Sequence, residues 1–335
     1  MSGTITERSI SRDQVKAAYN QLLGRDPEVE GLGEGADPFA FVMGVAISEE
    51  HRRRIVTQEV EKHRFSITDT ATGAFVTYTA DKVIGHSIRN AGGFEEQAIN
   101  GAIQIAESSG VPVKRNVFVD VGANIGTHSI FAVNSGFKKA ICVEADRNNY
   151  RLLRANQILH DVDAICINHL VAASDAEGEI EIQISPFNFG DHRVGHKNEA
   201  QSVHGEEAWE IQVIHTKPLD DIIRSSGVDF GDLGLVWIDT QGHEGQVLSG
   251  AHGILQADAP IVTEFWPYGL ERSGGFRRFK ELASKRTTII DIRASQETGV
   301  PVKLTANELD AMYASMLSSE SRGSSPHTDL LLLNV

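Results

Sequence analysis

The residues best placed to do chemistry stand at the ends of apolar runs. Asp120, Gly122, Asn124 and Gly126 lie in VDVGANIG, Glu144 closes AICVE, and Asp239, His243 and Glu264 fall in WIDTQGHEG and IVTEF. An apolar run that ends in Asp-x-Gly-x-Asn-x-Gly and passes into a helical pattern reads as a strand-to-helix turn, whose unpaired N–H groups favour an anion. A dinucleotide pyrophosphate asks for Gly-x-Gly-x-x-Gly at such a turn. That triplet is missing here, and Asp120 stands ahead of the first glycine, where a pyrophosphate would be repelled. A ligand with an ammonium near Asp120 and a carboxylate over the helix N-terminus suits the charges better. S-adenosylmethionine carries both groups on its methionine part and has no phosphate. Glu144 lies 24 residues beyond Asp120. In dinucleotide folds the acid that accepts from a ribose diol closes the next strand at about that distance, ~20 residues on.

These tips need strands and helices to hold them. Strand-like runs are NVFVDV, KAICVE, DAICINHLVAA, EIEIQI, LGLVWID, PIVTE, TTIIDI and TDLLLLNV, with helical patterns such as DRNNYRLLRANQILH and GQVLSGAHGILQA between most of them. Repeated βα units imply an α/β fold with a doubly wound, mostly parallel sheet and its ligand at the carboxyl ends of the strands. The polar, aperiodic stretch Ser185 to Trp209 reads as a functional lid. Residues 1–64 differ in texture: helical spacing runs through Val15, Ala18, Tyr19, Leu22 and Leu23, and again from Phe39 to Val60. A small N-terminal helical module followed by a catalytic domain over 65–335 is the expected organisation.

Composition narrows the function classes. Among 335 residues, 41% are hydrophobic and 23% charged, enough for a globular core. The 46 acidic residues against 31 basic ones leave a net charge of −15. Such a surface repels a phosphate backbone, so no nucleic-acid partner is expected. There is no apolar leader and no membrane span of ~20 apolar residues, which gives a cytoplasmic expectation. Cys142 and Cys166 are then expected as free thiols.

The words FVDVGANIGTHSIFAVNSG, VEADRNNYRLLRANQ, VAASDAEGEIEI, KPLDDII, VWIDTQGHEGQVLSGAHGIL and IVTEFWP, in this order, resemble the FkbM family of S-adenosylmethionine-dependent methyltransferases. The resemblance implies a class I methyltransferase (Rossmann-like) fold with seven strands, the last antiparallel. It implies Asp120, Gly122, Asn124 and Gly126 around the methionine part of the cofactor, Glu144 on its ribose, and Ala173, Ser174 and Asp175 near its adenine. The family commonly has Val-Glu where this chain has Thr240 and Gln241, so no acid can act at position 241. In the N-terminal module, AYNQLLGRDPEVEGL and ISEEHRRR resemble a short bacterial repeat found beside enzymes of surface glycan assembly, which implies a protein partner in glycan assembly.

Methyl transfer to a hydroxyl needs alignment and a base for the acceptor proton. His243, beside Asp239 in the turn, is the candidate base, with Asp239 and Glu264 at the rim of the same cleft and Glu244 expected to hold the turn. Asp239, His243 and Glu264 could also ligate a divalent ion, but spacing alone establishes no metal site and none is expected. His192 and His196, separated by Gly195, read as solvated loop residues. The expected activity is an O-methyltransferase acting on a small-molecule or glycan hydroxyl. Its rivals are a nicotinamide-dependent oxidoreductase, which the missing glycine triplet opposes, and a non-catalytic binding module.

Overall fold

The computed structural model describes residues 11–23, 27, 64–195, 202–321 and 324–335. The chain divides into two compact units, Met1–Phe65 and Ser66–Val335. In the first, helix α1 (Arg12–Leu23) forms on the expected periodicity. The second expected helix, over 39–60, lies outside the described residues.

In the second unit the strands are β1 (Phe65–Thr70), β2 (Gly73–Tyr78), β3 (Val117–Val121), β4 (Lys139–Glu144), β5 (Cys166–Leu170), β6 (Ala172–Ser174), β7 (Gly178–Ile184), β8 (Arg193–Val194), β9 (Glu210–Pro218), β10 (Leu233–Ile238), β11 (Ile261–Phe265), β12 (Thr288–Asp291), β13 (Val302–Leu304) and β14 (Thr328–Leu333). The helices are α2 (Ile84–Ala91), α3 (Glu96–Ser108), α4 (Thr127–Asn134), α5 (Arg147–Leu159), α6 (Leu219–Ser225), α7 (Glu244–Ser249), α8 (His252–Gln256), α9 (Pro267–Arg272), α10 (Phe276–Ala283), α11 (Ile292–Thr298) and α12 (Ala306–Ser319).

Every residue of β3, β10 and β11 is buried, which is why these strands read as unbroken apolar runs: helices cover both faces. One face buries Val117, Val119 and Val121 with Ile222, Val247, Ile254 and Phe279. The other buries Phe118, Leu235 and Trp237 with Ile99, Ile103 and Ala106 of α3. The sheet has the order β13-β12-β14-β11-β10-β3-β4-β5. β14 runs antiparallel between β11 and β12, as expected of the last strand.

Eight strands form this sheet, not the expected seven. After α11 the chain returns as β13, which pairs antiparallel with β12 and covers the backbone groups of that edge. EIEIQI, read as part of the main sheet, belongs instead to a separate sheet of order β6-β9-β7-β8. Its alternation marks a half-exposed antiparallel strand, paired along its length with β9. DAICINHLVAA divides at Val171 into β5 and β6, one in each sheet.

Candidate active site

The turn after β3 is held from both neighbouring strands. Gly122 and Ala123 donate their N–H groups to the Val143 carbonyl at 2.9 and 3.0 Å, and the Asp239 N–H donates to the Val121 carbonyl at 2.9 Å. Gly122 has φ 88°, and a Cβ there would lie 1.8 Å from the Asp239 carbonyl oxygen. Only glycine lets the two loops approach so closely. Asn124 follows at φ 49°. Gly126 is the residue before α4, whose first turn faces the loop.

Glu144 organises this turn. Its Oε2 accepts the Asn124 N–H at 2.7 Å and its Oε1 accepts the Asp146 N–H at 2.7 Å. Burial, with Asp146 and Asp120 nearby, pushes its carboxyl up to about 8. A carboxylate has about four acceptor positions. Two are used, and the side chain lines a cleft of about 620 Å³, counting space open to solvent.

That cleft runs from Gly122 and Asn124 past Glu144 to Ala172 and Ala173, and is closed by Phe189 and His192 from the predicted lid. The lid is clasped onto the glycine turn, since the Phe189 carbonyl accepts from Asn124 Nδ2 at 2.9 Å and from Asn149 Nδ2 at 2.7 Å. Its ring meets Tyr78 edge-on at 4.7 Å. Residues 196–201 of this stretch, His196 among them, lie outside the described residues. His192 packs in the closure, its Nδ1 accepting the Ser185 N–H at 3.2 Å, where a solvated loop residue was expected.

A second cleft of about 820 Å³ opens beside the first and shares Gly190, Asp239 and Gln241 with it. Of the three predicted catalytic residues, His243 lines only the first cleft, Glu264 only the second, and Asp239 both. His243 Nε2 shares a 2.9 Å hydrogen bond with Ser174 Oγ. Glu244 holds the turn as expected, its Oε1 accepting from Thr240 N and Oγ1 at 2.9 Å and from Gly242 N at 3.1 Å. Gln241, at φ 52°, reaches back so that its Nε2 donates to Asp239 Oδ1 at 2.7 Å and to Glu264 Oε2 at 3.1 Å. Asp239, Glu244 and Glu264 each bring a carboxylate oxygen within 4.8 Å of the others. Burial raises all three carboxyls, Glu244 to about 7 and Glu264 well above the ordinary range.

Two expected placements differ in the structure. Asp120 lines neither cleft: it alternates with Val119 and Val121, so its side chain falls on the opposite face, fully buried near His128 of α4. There burial pushes its carboxyl up to about 6. Burial acts to lower the His128 imidazole, but Glu95 at 3.4 Å and Asp120 outweigh it and raise it to about 9. Ser174 and Asp175 also stay out of the first cleft, since Ser174 turns to His243 and Asp175 pairs with Arg278 at 2.6 Å. Of the expected stretch Ala173 does line it, together with Ala172. His243 is absent from the carboxylate cluster that could hold an ion, where Glu244 stands instead.

The FkbM methyltransferase domain model matches residues 120–293, a little over half of the sequence. This chain belongs to the FkbM methyltransferase family. Solved structures similar to this FkbM chain include a methyltransferase FkbM from Methylobacillus flagellatus, at 18% identity and TM-score 0.35, covering 52% of this chain and 39% of that one. This chain thus spans about two fifths of that relative's length. A putative O-methyltransferase from Klebsiella pneumoniae matches at 12% identity and TM-score 0.37, covering 71% and 81%. An RNA methyltransferase from Salinibacter ruber, in complex with S-adenosyl-L-homocysteine, matches at 12% identity and TM-score 0.26, covering 49% and 72%. No curated protein matches the sequence.

The FkbM match begins at Asp120 and takes in the glycine turn, Glu144, Asp239 and Glu264. Gln241, Asn149, Phe189 and Trp266 complete the two clefts, and none of them stood out in the sequence as a site residue. Two carried a signal: Gln241 as a departure from the family's Val-Glu, and Phe189 as part of the predicted lid. Glu144→Gln should weaken S-adenosylmethionine binding by about 1–3 kcal/mol, because an NH2 donor replaces one of the two oxygens that accept the Asn124 and Asp146 N–H groups and line the cleft. Calorimetric titration measures this, and unchanged affinity would remove Glu144 from the cofactor site.

Proposed function

We propose that the chain is an S-adenosylmethionine-dependent O-methyltransferase acting on a hydroxyl of a sugar, glycan or related metabolite. The observation that carries this reading is Asp239, the predicted catalytic group that reaches both clefts. The glycine cradle, the two acceptor positions left on Glu144 and the small apolar wall of Ala172 and Ala173 suit the cofactor's amino-acid, ribose and adenine parts. When bound, S-adenosylmethionine supplies a methyl carbon activated by its sulfonium, which departs as a neutral thioether once the acceptor oxygen takes the methyl.

The chain's own residues then have separable tasks. Asp239 Oδ1 is held by Gln241, which leaves Oδ2 to take the acceptor's hydroxyl proton. A carboxyl raised by burial is better matched to that proton than an ordinary one. Glu264 orients the acceptor from the second cleft. His243, bonded to Ser174 on the cofactor side, positions the turn and is not the base. The Phe189 clasp excludes water above the cofactor.

No described helix is long and apolar enough to cross a membrane. The test of this reading is a titration with S-adenosylmethionine and with NAD. Saturable binding of the first and none of the second is expected. Micromolar NAD binding without S-adenosylmethionine binding would overturn it in favour of the oxidoreductase.

A further inference from the structure

The loop that closes the first cleft carries a hydrogen-bond donor that the fold leaves unused. A backbone N–H can only donate, so the 3.2 Å bond from the Ser185 N–H to His192 Nδ1 puts a lone pair on Nδ1. In a neutral imidazole the proton then sits on Nε2. Burial holds this imidazole below its ordinary range, against the opposing pull of Asp146 at the N-cap of α5, Asp191 in its own loop and Asp81 after β2. The ring is therefore neutral at pH 7 and above, and its Nε2–H is a fixed donor.

His192 Nε2 has no partner among the described residues, and unlike the enclosed Nε2 of His128 it keeps accessible surface. The ring lines the first cleft. The other side-chain donors on that cleft are engaged within the fold: Asn124 and Asn149 with the Phe189 carbonyl, Thr240 with Glu244, Gln241 with Asp239 and Glu264, and His243 with Ser174. The acid that pulls most strongly on the His192 ring is Asp146, whose N–H is held by Glu144 Oε1 at 2.7 Å. The unused donor thus belongs to the Glu144 part of the cleft. A neutral N–H and a carboxyl oxygen on one cleft suit a ligand hydroxyl, which accepts from the first and donates to the second.

We propose that His192 is a cofactor-binding residue whose Nε2–H donates to a ribose hydroxyl of S-adenosylmethionine, so that the loop covering the cofactor also reads its sugar. This rests on the methyltransferase reading above. Nδ1 serves the loop by holding the Ser185 N–H, and Nε2 serves the ligand.

Two substitutions separate these tasks. Asparagine carries an acceptor near the place of Nδ1 and no donor at that of Nε2, whereas glutamine carries its amide donor near the place of Nε2. The wild-type protein and both variants are titrated calorimetrically at pH 8 with S-adenosylhomocysteine and with its analogue lacking both ribose hydroxyls. His192→Asn should weaken S-adenosylhomocysteine binding by about three- to tenfold, the worth of one hydrogen bond, and leave the affinity for the analogue unchanged. His192→Gln should stay within about twofold of wild type for both ligands, since the donor is kept. Unchanged S-adenosylhomocysteine affinity in His192→Asn, an equal loss of the analogue in that variant, or a larger loss in His192→Gln than in His192→Asn overturns the proposal and leaves His192 as a prop for Ser185. Absence of S-adenosylhomocysteine binding to the wild-type protein would overturn the methyltransferase reading, and this assignment with it.

Discussion

Asp239→Asn lowers turnover by about 10²- to 10⁴-fold while S-adenosylmethionine affinity stays near wild type, because it removes a base and leaves the cofactor wall in place. The substitution keeps an oxygen for the Gln241 donor, so the bridge to Glu264 survives and the loss reports on proton transfer. Wild-type activity should fall on the acid side as this carboxyl protonates. That limb lies above the ordinary aspartate range because burial raises the group. In the variant the limb disappears. His243→Ala should cost much less, its Nε2 being engaged by Ser174 on the cofactor side. The reverse order, with His243→Ala crippling and Asp239→Asn mild, would return the base to the histidine. Steady-state kinetics across pH, with calorimetry for the cofactor, separates the two.

Gly122→Ala destabilises the fold by about 2–5 kcal/mol and abolishes cofactor binding, the sum of a left-handed backbone penalty and a steric one. Gly110 provides the control, since both residues have φ 88°. A Cβ on Gly110 meets nothing within 4 Å, whereas one on Gly122 lies 1.8 Å from the Asp239 carbonyl oxygen and 2.9 Å from its carbon. Gly110→Ala should therefore cost only the backbone part, about 1–2 kcal/mol. The difference between the two in chemical denaturation measures the collision. Equal costs would mean that the Asp239 loop yields freely, and the coupling drawn here between the cofactor turn and the base would not hold.

Sequence alone determined what depends on neighbours a few residues away. The strand-to-helix turn at Asp120 to Gly126 was legible because its glycines and the apolar run before it are local. Glu144 could be placed because one βα unit has a nearly constant length, so the next strand tip falls at a set distance. The central strands were legible because burial on both faces leaves them unbrokenly apolar.

What the sequence left open was settled by elements that meet across the chain. Asp120 belongs to the motif yet faces away from the cleft, because side chains alternate along a strand and the α4 side takes the even positions of β3. Ser174 and His243 are 69 residues apart and meet only because β6 packs near the turn after β10. The clasp of Phe189 by Asn124 and Asn149 depends on where an aperiodic loop lands, and no local pattern encodes that. Gln241 reads in sequence as the loss of an acid. In the folded protein it is the amide that holds Asp239 and Glu264 together where the two clefts join, since a side chain's partners are fixed by packing and not by its neighbours in the chain.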